Sequence, residues 1–224
     1  MIILASASPR RQELLALLGI PFEVIPSQVD EGFLEGESAE EHVLRLARAK
    51  AGDVAGKKSG RWILAADTVV EIDGKILGKP KDRREAKEML WLLSQREHRV
   101  LTGYCILNSS SPQRKEGKVT TRVRFKPLSA EEIFWYIRTN EPFDKAGGYA
   151  VQGKAAFMVQ EVRGSYTNVV GLPLCEVVRD LRELGAVDFL ATEITARQSR
   201  KQKTLATEGT EITEILEKNN IRNE

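Results

Sequence analysis

The chain has 224 residues, 42% of them hydrophobic, with 34 Lys and Arg against 32 Asp and Glu for a net charge of +2. That is enough for one sizeable core or two small lobes, and near-neutrality removes any bulk electrostatic case for a nucleic-acid or membrane-surface partner. No apolar run approaches the ~20 residues of a bilayer span, and the apolar start is only Ile2 to Ala5 with its arginines after it, so it does not read as a secretory signal.

Strand-like and helix-like patterns then alternate. Ile2 to Ala5 predicts a short strand, followed by a small, hydroxyl-rich turn (Ser6, Ala7, Ser8) and a helix with Pro9 at its first position and Ser8 as N-cap. Phe22 to Ile25 reads as a strand ending at Pro26. Ser38-Ala39-Glu40-Glu41 is a capping box in front of a helix reaching about Ala55, with Val43, Leu46 and Ala47 on its apolar face. Trp62 to Ala66 predicts a strand that stops at Asp67-Thr68. A hairpin follows, Val69 to Ile72 and Lys75 to Leu77, with Asp73-Gly74 supplying a type I′ turn. Asp82 caps a helix to about Leu93 whose Ala86, Met89, Leu90 and Leu93 form the buried stripe.

Val100 to Leu107 and Val119 to Phe125 read as long strands joined by a polar loop, Asn108 to Lys118. A second capping box, Ser129-Ala130-Glu131-Glu132, opens a helix to about Arg138. A glycine- and charge-rich loop, Asn140 to Gly153, leads to a strand from Ala155 to Glu161, and a last core helix runs from Leu174 to Leu184. Large apolar residues thin out after Leu190, so residues 1–190 are expected to form the folded domain and 191–224 a mobile polar extension, in which Ile212, Ile215 and Leu216 have the spacing of a short helix. Two cysteines (Cys105, Cys175) and two histidines (His42, His98) offer no zinc-ligand spacing. A reducing cytoplasm, with both thiols used for packing, is the expectation. The mixture predicts an α/β domain with a central sheet and an antiparallel hairpin arm.

Polar groups recur where apolar strands are expected to stop, which is where α/β folds place ligands. Free N–H groups at the start of the first helix attract anions, and Arg10 and Arg11 add fixed positive charge. The same residues also suit an ordinary capped helix with solvated arginines. Asp67 follows Ile63-Leu64-Ala65-Ala66 and reads as a general base or metal ligand, or else as a turn aspartate helped by Thr68. Glu31, Lys50, Lys79 and Lys145 are loop or helix charges that would individually be solvated. The loop Asp144-Lys145-Ala146-Gly147-Gly148-Tyr149 lets backbone approach a ligand closely, but neither a GxGxxG spacing nor a P-loop is present.

Taken in order, LASASPRRQELLALLG, VDE, RLARAKA, AADT, LGKP, LTGY, EPFDKAGGYAVQG and GSYTNVVGLPL resemble the Maf family of nucleoside triphosphate pyrophosphatases across residues 2–187. ADT together with DKAGGYAVQG resembles the branch acting on dTTP and UTP; the sister branch, acting on 7-methyl-GTP, differs at the positions of Thr68, Lys145 and Gln152. The resemblance implies a two-lobed α/β fold of the Maf/ITPase kind, with a mixed central sheet flanked by helices and a deep cleft between lobes. It implies a divalent cation, Mg²⁺ or Mn²⁺, and release of nucleoside monophosphate plus pyrophosphate, extending to modified pyrimidine nucleotides in a house-cleaning role.

By position, Asp67 takes the part of proton acceptor, and Arg10, Thr68 and Gln152 that of choosing the base. Ser8, Arg11, Lys50, Lys79 and Lys145 become phosphate-handling groups, and Glu31 with Asp67 the metal-handling pair. A homodimer is implied by resemblance alone. Departures are small: Ala65 stands where glycine is commoner, and Ala150-Val151 replaces a Gly-Ile pair. Three other readings compete: a nucleotide-binding regulator of cell division without turnover, a pyrophosphatase for a different base, and a nucleic-acid binder using the basic loops. Near-neutral charge and few candidate exposed aromatics weigh against the last.

Overall fold

The computed structural model describes residues 1–188, and Met1–Ala186 pack as one unit. The extension expected over 191–224 lies outside the described residues. Seven strands form one sheet: β1 (Ile2–Leu4), β2 (Phe22–Val24), β3 (Trp62–Ile72), β4 (Lys75–Leu77), β5 (Glu97–Asn108), β6 (Arg114–Phe125) and β7 (Val159–Arg163). Their order is β2-β1-β3-β5-β6-β7, with β4 paired to β3. β1 runs parallel to β2 and β3, and the remaining pairs are antiparallel, so the sheet is mixed. The helices are α1 (Pro9–Ala16), α2 (Ala39–Ala55), α3 (Arg83–Leu93), α4 (Ala130–Arg138), α5 (Tyr166–Val170) and α6 (Leu174–Glu183).

Helix starts follow local chemistry closely. Ser38 and Ser129 each accept from the backbone N–H three residues on, while Glu41 and Glu132 reach back to the cap, completing both boxes. The Asp82 side chain accepts from the Glu85 N–H, and Ala86, Met89, Leu90 and Leu93 of α3 are buried as the stripe predicts. Ser8 does occupy the N-cap of α1 with Pro9 behind it, but its hydroxyl makes no cap hydrogen bond. Asp73 and Gly74 both have positive φ (52° and 75°), as a type I′ turn requires.

Strand boundaries follow tertiary pairing instead. β3 does not stop at Ala66; it continues through Asp67 and Thr68 to Ile72, because β5 pairs with it from Trp62↔Asn108 to Glu71↔Arg99 and satisfies its backbone throughout. The polar stretch before Val119 is likewise strand from Arg114, held by Lys115↔Ile106 and its neighbours, so the loop is confined to residues 109–113. The last strand begins at Val159, after a short 3₁₀ segment at Lys154–Met158. α5, only five residues long, has no periodicity to betray it. Cys105 is buried as expected, whereas Cys175 is exposed.

Two large apolar clusters, besides a smaller one of Ala39, Val43, Val69 and Leu101, use the long strands. One joins α3 and α4 to β5 and β6, with Leu90, Leu93, Val123, Phe125, Tyr136 and Met158 among its members. The other packs α2 on β1, β3 and β5 through Ile3, Ala47, Ala51, Val54, Ile63 and Cys105. Gly103 decides how closely α2 descends. A Cβ there would stand 2.5 Å from the Val43 carbonyl oxygen, a contact with helix backbone that could not yield. Gly103 is also the residue paired with Asp67, so the missing side chain admits α2 on the face towards which Asp67 points.

Candidate active site

β1 leaves the sheet after Leu4↔Leu64, and β4 joins β3 only from Val70↔Leu77. Among the described residues no strand covers the intervening β3 edge at residues 66–69. Alternation along β3 sends Asp67 to the α2 face and Thr68 to the opposite face, and a pocket of about 480 Å³ opens where the two meet. All ten residues singled out from sequence line it: Ser8, Arg10, Arg11, Glu31, Lys50, Asp67, Thr68, Lys79, Lys145 and Gln152. They come from separate stretches of chain, which only the folded structure assembles.

Asp67 and Lys50 are both nearly covered, at 6% and 5% exposure. The Lys50 ammonium donates to Asp67 Oδ1 at 2.7 Å and lies 2.6 Å from Glu31 Oε1. Lys79 approaches the other Glu31 oxygen at 3.8 Å. Burial pushes the Glu31 pKa up, but the hydrogen bond and charge of Lys50, with Lys79 and Arg11, outweigh it and hold the carboxyl below its ordinary value. α2 supplies Lys50 from the same stripe as Leu46 and His42, all three facing the pocket at intervals of four residues.

His42 is a pocket residue that sequence reasoning misses. Its side chain is 2% exposed, with Nε2 3.9 Å from Asp67 Oδ2 and Nδ1 2.9 Å from Glu37 Oε2. Phe33 stacks on the ring at 4.3 Å. The spacing 42–46–50 on a capped helix is the available signal, masked when only the apolar members of the face are read.

Arg11 is anchored by three acceptors: its Nε donates to the Gly171 carbonyl (2.8 Å), and its two terminal nitrogens to Ser6 Oγ (3.3 Å) and Thr68 Oγ1 (3.0 Å). Burial pulls its pKa down while the charges of Asp67 and Glu31 push it up, and a guanidinium stays charged throughout. Arg10 instead points to Asp144, 3.3 Å from Oδ2, and Lys145 donates to the same carboxylate at 2.5 Å. Burial works against ionisation of Asp144, but Lys145 and Arg10 together keep its pKa low. In the sequence Asp144 is only one member of a loop motif; the structure makes it the internal anion between two pocket cations. Gln152 is exposed at the rim.

Among the described residues no three His, Cys, Asp or Glu side chains are grouped as a metal cage. Glu31 and Asp67 nevertheless converge on one cationic point, the Lys50 ammonium. An all-oxygen pair of carboxylates suits a hard divalent cation, and Mg²⁺ is commonly held by one or two carboxylates with substrate phosphates completing the shell. These residues fit such an ion.

The family model for Maf-like proteins matches residues 1–184 of this sequence. The chain belongs to that family. Maf-like relatives named dTTP/UTP pyrophosphatase include that of Geotalea uraniireducens, 57% identical over 84% of this chain and 96% of the relative. The proteins of Syntrophus aciditrophicus (52%, covering 84% and 92%) and Halalkalibacterium halodurans (50%, covering 82% and 96%) carry the same name. Among solved structures, the Staphylococcus aureus Ham1 protein aligns with a TM-score of 0.41 at 17% identity over 55% of this chain and 71% of that one, too loose to carry an argument. No helix among the described residues is long and apolar enough to cross a membrane.

Proposed function

We propose that this Maf-like chain hydrolyses pyrimidine nucleoside triphosphates, dTTP and UTP, to the monophosphate and pyrophosphate, with Asp67 as proton acceptor. The observation that carries this reading is the placement of a nearly covered carboxylate, Asp67, in a hollow that Arg10, Arg11, Lys50, Lys79 and Lys145 also line. Relatives named dTTP/UTP pyrophosphatase at 50–57% identity support the choice of substrate.

A triphosphate brings several negative charges, and a site that stabilises it well holds its cations in place beforehand. Arg11, fixed by Gly171, Ser6 and Thr68, meets that condition. Arginine offers bidentate contact to phosphate oxygens, whereas Lys79 and Lys145 act as point charges; Ser8, at the start of α1, adds polar lining on the same side. In the reaction, Asp67 accepts a proton from a water whose oxygen attacks the α-phosphorus. The bond from that phosphorus to the bridging oxygen breaks, and pyrophosphate departs with its charge held by the basic groups. Lys50 holds Asp67 in place through its 2.7 Å hydrogen bond. Glu31 and Asp67 would hold Mg²⁺ or Mn²⁺, which when bound neutralises phosphate charge.

Base choice belongs to Arg10, Gln152 and Thr68 in this reading, and exposure divides their work. The Gln152 amide has a donor and an acceptor to match the carbonyl and N–H edge of uracil or thymine, and Arg10 lines a smaller hollow together with Gln152. The Thr68 hydroxyl is already engaged within the protein, so its influence on the base is indirect. The test is a panel of ordinary and modified nucleoside triphosphates with Mg²⁺ or Mn²⁺, identifying products. Monophosphate plus pyrophosphate from UTP and dTTP is expected; nucleotide binding without turnover would establish the regulator reading instead, and turnover confined to purines a different base.

A further inference from the structure

Thr102 does not line the pocket, yet its hydroxyl is two hydrogen bonds from the Arg11 guanidinium. It is fully buried and faces Thr68 across the β3–β5 pair, with the two Oγ1 atoms 2.9 Å apart. Its own Oγ1 lies 3.1 Å from the Asn168 carbonyl oxygen. The direction of this chain is fixed at both ends. A guanidinium only donates and a carbonyl only accepts, so Arg11 donates to Thr68, Thr68 to Thr102, and Thr102 to Asn168. The other acceptor near Thr68, the Gly171 carbonyl, is 3.5 Å away and already takes the Arg11 Nε–H.

The far end is rigid. Asn168 is fully buried in α5, and its Nδ2 donates to the Val100 carbonyl and to Thr121 Oγ1, both at 3.0 Å. Thr121 in turn is tied to Ser165, the N-cap of α5, by two bonds of 3.1 Å. Three strands (β3, β5 and β6) and one short helix are thereby coupled to one guanidinium.

We infer that Thr102, backed by Asn168, is a positioning residue that aims Arg11 at the substrate phosphates through Thr68. The inference rests on the reading that Arg11 binds phosphate. It gives LTGY and SYTN, two motifs without an assigned site residue, a physical role. Neither the threonine of the first nor the asparagine of the second touches ligand space, but together they set where a charge points. A bidentate contact loses efficiency steeply with small displacements; misplacement by about 1 Å costs on the order of 10²-fold.

The test measures kcat and KM for UTP hydrolysis, with melting temperature as a separate readout, in the full chain. Thr102→Val preserves shape and removes the hydroxyl, and is expected to lower kcat/KM by about tenfold or more. Thr102→Ser, which restores the hydroxyl, is expected to recover most of that loss. In an Arg11→Lys background, itself slower than wild type, Thr102→Val is expected to cost almost nothing further, since the group it aims is gone. If Thr102→Val does not fold, Thr68→Val breaks the same relay one link nearer the pocket and should show the same dependence on Arg11.

An equal loss in both backgrounds, or a Thr102→Ser variant as slow as the valine, assigns Thr102 a purely structural role and overturns the proposal. Wild-type kinetics in Thr102→Val, with Arg11→Lys impaired, does the same. Unimpaired Arg11→Lys refutes instead the phosphate reading of Arg11, and the relay with it.

Discussion

The pocket holds two ion clusters built on opposite plans. At one, Lys50 lies between two carboxylates, and both it and Asp67 are covered, with side chains 6% and 9% exposed. At the other, Asp144 lies between two cations, and the anion is the exposed partner: 64% against 25% for Arg10 and 11% for Lys145. A covered pair cannot exchange its partner for water cheaply, so it fixes geometry. An exposed carboxylate can turn into solvent with little loss and leave its two cations to an incoming nucleotide. Asp67 and Lys50 therefore form the part that stays, and Asp144 the part that yields.

The largest expected effect comes from breaking the covered cluster at its base. Asp67→Asn keeps shape but accepts no proton, and kcat for pyrophosphate release should fall by about 10²- to 10⁴-fold, as removal of a general base does; near-wild-type turnover would remove Asp67 from the reaction. Lys50→Met leaves Asp67 buried without its partner. Denaturant unfolding should then show a loss of about 3–5 kcal/mol, the usual cost of stranding one member of a buried pair, and an unchanged midpoint would mean that the cluster is not structural.

The exposed cluster should respond in the reverse manner, through substrate rather than stability. Arg10→Ala is expected to raise KM several-fold while shifting stability by no more than ~1 kcal/mol, as for surface pairs. Asp144→Asn should lower KM modestly, because it removes the anion that competes with the nucleotide for Arg10 and Lys145. If Asp144→Asn instead raised KM, the carboxylate would be a part of the binding site and not its placeholder.

The smallest effect concerns the acid side. Glu37, bonded first by Arg45 and also by His42 behind Asp67, has its pKa lowered from 4.5 to about 2. A depressed folded value means its contribution is complete above the unfolded pKa and is lost as pH falls from about 4.5 towards about 2. Unfolding monitored across that window should show a shallower loss of stability on acidification in Glu37→Gln than in wild type.

Much of this is legible in the sequence, and for identifiable reasons. Helix starts at Ser38, Asp82 and Ser129 depend on contacts within four residues, and the apolar stripe of α3 is a matter of period, so sequence is sufficient for both. Asp67 stands out too, but for a partly mistaken reason. It lies in mid-strand and is reachable because β1 and β4 leave a gap along one edge of β3, a fact of pairing that no local pattern encodes. His42 escapes notice because polar members of a buried helix face look like interruptions until their partners are known.

What the chain determined by itself was therefore which segments coil and where helices are capped, since these follow from interactions between near neighbours, while the order of its motifs named the charged residues of the site through their resemblance to the Maf family. The meeting of those residues was decided by tertiary structure alone. Gly103 admits α2 to the Asp67 face, pairing with β5 carries β3 past Asp67, and Thr102 with Asn168 fixes the arginine. Each of these joins positions tens of residues apart, and long-range packing is what sets such distances.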